Sequence, residues 1–242
     1  MSKATKRVKQ YLSDTNTLIY SYLISLPLLL LYEVLIFISQ PNSDHIVRIS
    51  VDVWVKTLFS YFGQNVLSIT LILVALTGII ILYRDRSKLS SLRISYFGGI
   101  LLEALVYAFL LSLLITSLVG NLLQLTPPDS IESLTLLQQL ALSLGAGLYE
   151  ELFFRVILVS VLLWLFKYFF SKKAAAFTAA IIFAAIIFSL VHYTGALGDT
   201  FTIRSFLFRF LFGLALNMIY LWRGLGTAAW THAIYDLMIL AF

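Results

Sequence analysis

Two adjacent carboxylates and an arginine, Glu150, Glu151 and Arg155, stand in an apolar run from Leu134 to Phe166 that holds no other charged group. Charge at membrane depth costs at least ~2.5–3.5 kcal/mol per group, so such residues are functional candidates by default. Helical geometry divides their labour. Glu151 and Arg155 are four apart and share a face, where they can pair. Glu150 is rotated by about 100° from its neighbour and finds no partner on its own helix. One glutamate reads as structural and the other as available for chemistry.

Two later segments add to the set. Phe188 and His192 are four apart near the end of one apolar run, and His232 and Asp236 are four apart in the last one. Asp236 is placed to accept from a ring nitrogen of His232 and so fix its tautomer. Each residue alone has a bland explanation: an intramembrane histidine as a helix–helix hydrogen bond, a Glu–Arg pair as a lock between helices, a phenylalanine near a histidine as packing. Two glutamates, an arginine, two histidines and an aspartate from three separate segments ask for more than packing, given what each costs. A carboxylate out of water becomes a stronger proton acceptor, which suits a general base activating water. A histidine can hold that water, and another can donate to an oxyanion. Alternatively, Glu150, His192 and His232 supply three ligands to a divalent metal such as Zn, with water in the open position.

The motifs Glu150-Glu151-x-x-x-Arg155, Phe188-x-x-x-His192 and His232-x-x-x-Asp236 resemble, in order, those of the CPBP (Abi) intramembrane proteases, relatives of the CAAX prenyl protease type 2. The resemblance covers about Ser143 to Phe242. It implies a membrane endopeptidase acting on membrane-associated or exported peptides, with Glu150, Glu151, Arg155, His192, His232 and Asp236 as its site. The family's better-understood members resemble glutamate proteases, so no cofactor is the first expectation and one metal ion the second. One departure stands out: the last motif usually ends in Asn, and here it ends in Asp236. An Asn amide donates to an oxyanion as it stands; an Asp does so only when protonated.

The elements that must position these groups are membrane helices. The 242 residues are 60% hydrophobic and 12% charged, against about 45–50% and 25% in soluble domains. The expected fold is an all-α polytopic bundle of about seven transmembrane helices (six to eight), with broken or interfacial segments. The spans read as Leu18–Ile38, Asn65–Tyr83, Tyr96–Val119, Leu142–Phe166, Ala174–His192, Ile203–Trp222 and Thr227–Phe242. Residues 1–17 read as a cytoplasmic segment, 18–133 as N-terminal membrane helices and 134–242 as the catalytic helices of one integrated domain. Pro27 marks a kink in the first span, and Glu33 lies close enough to its end to reach the interface. The mixed stretch 40–64 suggests a short interfacial helix, with His45 a solvated histidine. Ile131–Ser143 reads as an amphipathic entry segment, and Gly145 and Gly147 as places for a bend or a close helix approach. Arg223-Gly224-Leu225-Gly226 reads as a turn.

Twelve Lys and Arg fall on one side of this arrangement and four on the other, which places the N-terminus in the cytoplasm, here of a bacterial plasma membrane. The net charge of +5 is spent on topology and does not point to nucleic acid. With no cysteine, disulfides and thiolate chemistry are excluded. The partners expected are the lipid bilayer and a peptide or protein substrate delivered in the membrane. The competing reading is a non-catalytic bacteriocin-immunity or adaptor protein on the same scaffold. A proton-coupled transporter would show internal repeats, which the chain lacks. This span assignment puts His192 and His232 near opposite ends of their helices, so they meet Glu150 only if helices are staggered, broken or re-entrant.

Overall fold

The computed structural model describes residues 3–40, 46–60, 66–119, 134–195 and 198–241. Ten α-helices occur among them, in chain order: α1 (Lys3–Thr15), α2 (Leu18–Ser39), α3 (Ser50–Ser60), α4 (Val66–Arg84), α5 (Ile94–Val119), α6 (Leu136–Gly145), α7 (Val159–Phe166), α8 (Lys173–Val191), α9 (Ile203–Arg223) and α10 (Leu225–Ala241). No strand occurs among the described residues. Four helices are long and apolar enough to cross a membrane: α2, α8 and α9, and α5 over Ile94–Ile115. Large side chains such as Leu30, Phe37, Ile79, Leu102, Phe109 and Trp164 point outward along the helices. This is the inside-out pattern of a lipid-facing bundle, since lipid tails are as apolar as the side chains they meet. The protein is an integral membrane helix bundle.

Pro27 lies inside α2, whose helical assignment runs from Leu18 to Ser39. Gly145 and Gly147 are places of close approach, the first to the Tyr32 ring and the second to the Ala229 carbonyl. Helix α6 passes through two π-helical segments, Ala146–Glu150 and Leu152–Leu158, into α7. The result is one rod from Leu136 to Phe166, at most about 46 Å long at ~1.5 Å per residue. Its first turn is fixed by a capping box in which Thr135 and Gln138 exchange hydrogen bonds. Of the described part of the entry segment, Ala141 and Ser143 are buried while Leu136 and Leu137 are exposed, so the segment is two-faced, with one side turned into the bundle. Residues 131–133 of that segment, and His45, lie outside the described residues.

The hub is α10. It packs on α2, α5, α6, α9 and the first π segment, and its inner surface is small: Gly226, Ala228, Ala229 and Ala233 are all buried. Small residues let backbones approach. A Cβ at Gly147 would lie 2.5 Å from the carbonyl oxygen of Ala229, so only glycine permits this crossing. The turn before α10 is tighter than the four-residue reading, for Gly226 is already helical and Gly224 alone takes positive φ, at 81°.

One charge assignment changes. Arg223, counted among the cytoplasmic surface charges, is 1% exposed. Its Nε donates to Glu103 Oε2 at 2.7 Å and its guanidinium also reaches Leu12 O and Thr15 Oγ1, which fastens α1 to the bundle. Glu33 pairs with Arg48 and Lys56, which also hold Asp52, in an ionic box between α2 and α3 with the segment that leads into it, with Asp52 and Lys56 buried and Glu33 and Arg48 half-buried.

Candidate active site

The three motif-bearing elements meet at one level, which resolves the conflict in helix depth. His192 caps the C-terminal end of α8, Glu150 closes the first π segment in the middle of the rod, and His232 lies midway along α10. The helices are staggered, so the end of one meets the middles of two others. Phe188 ties the imidazoles together: its ring centroid is 4.9 Å from that of His192 and 6.1 Å from that of His232.

Three consecutive residues of the rod point to three different partners. Tyr149 turns toward α2, where its hydroxyl is 3.4 Å from Glu33 Oε1. Glu150 turns toward α8, where its Oε2 is 3.9 Å from His192 Nε2. Glu151 turns toward α10, where its Oε1 accepts from His232 Nδ1 at 2.7 Å. A π turn holds one residue more than an α turn, so it redistributes side chains around the axis, and such turns recur at functional sites.

Glu151 and Arg155 pair as their spacing requires, with Nε and Oε2 2.9 Å apart and both side chains fully buried. The contact is off the angle of a hydrogen bond, and no nitrogen of Arg155 has a hydrogen-bond partner among the described residues. Its guanidinium carbon instead sits 4.5 Å from the centroid of the Phe188 ring, a cation–π contact that offsets part of its burial. Glu151 therefore serves Arg155 and His232 together. Asp236 lies at the other ring nitrogen, with its Oδ2 3.5 Å from His232 Nε2. The closer carboxylate is Glu151.

His192 is held by the backbone. Its Nδ1 donates to the carbonyl of Phe188 at 2.7 Å, which leaves the Nε2 lone pair facing Glu150. Glu150 Oε2 is buried and has no hydrogen-bond partner among the described residues. The residues on either side of His192 are fastened to α9, for Ser189 Oγ donates to Phe206 O and Tyr193 Oη to Ser205 Oγ, and the loop turns back on itself where Asp199 N donates to His192 O. Arg209 closes this corner by pairing with Asp199, a contact that no spacing in the sequence signals, because the two lie on a loop and a helix that meet only in the fold. The site opens on one side, where the side chains of His192 and Asp236 are 26% and 29% exposed against 12% for Glu150.

No group of three His, Asp or Glu side chains is gathered at metal-binding distance among the described residues. His232 Nδ1 is taken by Glu151 Oε1 at 2.7 Å, and Asp236 Oδ2 lies 3.5 Å from its Nε2. The set Glu150, His192 and His232 does not fit a three-ligand centre, and no step below runs through one.

Residues 132–238 match the family model described as Type II CAAX prenyl endopeptidase Rce1-like, and this segment contains all six charged or imidazole residues of the site. Neither the curated proteins nor the solved structures yielded a match. The family match agrees with the resemblance read from the three motifs and supports protease-type function within the membrane.

Proposed function

We propose, on the premise that the segment 132–238 belongs to the Rce1-like family of type II CAAX prenyl endopeptidases, that this protein is an intramembrane endopeptidase whose base is Glu150. The observation that carries the reading is the facing of two unoccupied acceptors, Glu150 Oε2 and His192 Nε2, at 3.9 Å. Two acceptors at that separation share a proton donor. A water about 2.8 Å from both would see them at an angle of about 90°, near its own bond angle.

Glu150 takes one proton of that water as its oxygen attacks the scissile carbonyl, and His192 holds the other. The oxyanion forms beside His232, which as an imidazolium donates from Nδ1 to Glu151 and from Nε2 to the developing charge. Asp236 adds a second donor when protonated. Collapse of the tetrahedral intermediate expels the amine, which receives the proton stored on Glu150. Glu151 and Arg155 touch none of the reacting atoms and act by orienting His232. With the buried Arg223 set aside, the remaining eleven-to-four distribution of cations supports a cytoplasmic N-terminus.

The test is cleavage of a farnesylated fluorogenic peptide, beside its unprenylated twin, by purified protein in lipid nanodiscs. Glu150→Gln, His192→Ala and His232→Ala each abolish cleavage while insertion persists, and chelators leave the wild-type rate unchanged. Chelator-sensitive cleavage restored by Zn would overturn the metal-free mechanism. Full biological function in all three variants would return the chain to the immunity or adaptor reading.

A further inference from the structure

A second cluster of charge lies beside the site, outside the segment that matches the family. Asp52, with no exposed surface, accepts from Tyr32 Oη at 2.8 Å, Arg48 Nη1 at 2.9 Å and Lys56 Nζ at 2.9 Å. Glu33 completes a box of two anions and two cations, with Arg48 and Lys56 each 3.1 Å from its carboxylate. Such a box is a poor source of stability, because desolvation offsets the attraction and apolar replacements are often neutral or better. A more specific use is registration, the best-attested role of buried ionic groups.

The box reaches the site helix at the position next to the proposed base. Tyr149 Oη lies 3.4 Å from Glu33 Oε1. The ring of Tyr149 meets that of Tyr32 edge-on at 5.3 Å, and the Tyr32 ring lies where a Cβ on Gly145 would come within 2.5 Å. Helix α3 presses on the same π segment, and its Trp54 meets Phe153 at 5.6 Å. The extra residue of a π turn can sit at one of several neighbouring positions. Moving it past a residue turns that residue's side chain about the axis by up to roughly 100°. Pinning Tyr149 to the box and Glu151 to His232 leaves Glu150 one direction, toward His192.

We propose that the Glu33–Arg48–Asp52–Lys56 box is a positioning device that sets the register of the first π segment through Tyr149 and thereby aims Glu150 at His192. The proposal rests on the reading of Glu150 as the base, yet its geometric content is measurable without activity. The chain has three histidines, so ¹⁵N-histidine NMR of the full-length protein in nanodiscs reports on His192 directly. Tyr149→Phe and Glu33→Gln shift the His192 ring nitrogens and leave those of His232 in place. They lower kcat on the farnesylated reporter at least tenfold, with KM within twofold. Lys56→Arg, which keeps the charge, behaves as wild type. If Glu33→Gln does not fold, the pair Glu33→Gln with Lys56→Met keeps the box neutral and gives the same shift. An unmoved His192 signal in Tyr149→Phe and in a folded box variant overturns the proposal. So does an equal shift in Ile100→Ala, a truncation in a separate core cluster. A shifted His192 signal with no cleavage by the wild type would instead retain the positioning device and remove the proteolytic reading.

Discussion

Arg155→Met is the sharpest test of the division of labour between the two glutamates. The guanidinium and the Glu151 carboxylate are both fully buried and 2.9 Å apart. Removing one member of a buried pair leaves the other charge uncompensated, at about 3–5 kcal/mol. The 4.5 Å contact with the Phe188 ring is lost as well, and a desolvated cation–π contact is worth ~2 kcal/mol; met by the methionine thioether, part of that returns. For a chain of this size each kcal/mol moves the melting temperature by about 2–4 °C. A drop of roughly 6–20 °C is therefore expected, read by circular dichroism in detergent. Arg155→Met with Glu151→Gln, which removes both charges together, recovers a large part of that loss. Glu150→Gln leaves the melting temperature within about 2 °C while abolishing cleavage, because the Glu150 carboxylate holds nothing in place. An Arg155→Met protein that melts with the wild type, or a double variant that melts lower by the sum of its parts, would refute the buried-pair argument. A large thermal loss in Glu150→Gln would refute the assignment of Glu150 as the free group.

Asp236→Asn replaces an acid that donates only when protonated with an amide that donates at any pH. Cleavage is expected to persist, and part of the loss that the wild type shows as pH rises is expected to vanish from the rate profile. Gly147→Val inserts a branched side chain where even a Cβ lies 2.5 Å from Ala229 O. Overpacking of this kind costs about 1–3 kcal/mol and separates the rod from α10, so stability and cleavage fall together. Arg223→Met opens the clamp on Glu103, Leu12 and Thr15. Limited trypsin digestion should then release α1, cutting at Lys6, Arg7 and Lys9 much faster than in the wild type, while residual cleavage activity is kept.

The amino-acid sequence by itself determined the all-α membrane character, because 60% apolar composition leaves helices as the way to satisfy the backbone in lipid. It also determined the Glu151–Arg155 pair and the isolation of Glu150, since both follow from one-helix geometry. What spans several helices was decided only by tertiary structure. Spacing could show that Asp236 is within reach of His232, but Glu151 lies 81 positions away in the chain and proved closer, at 2.7 Å. The glycines near the motif read as places for a bend or a close approach, since a helix from Leu134 to Lys167 exceeds a bilayer's thickness. The fold uses the close approach, at Gly147 against the Ala229 carbonyl, where small residues on α10 let the backbones meet, and only the structure shows the helix passing through two π segments. The charges at Glu33, Arg48, Asp52 and Lys56 read as interfacial one by one. Their closure into a box depends on how α3 folds back against α2, a long-range arrangement that no local periodicity records.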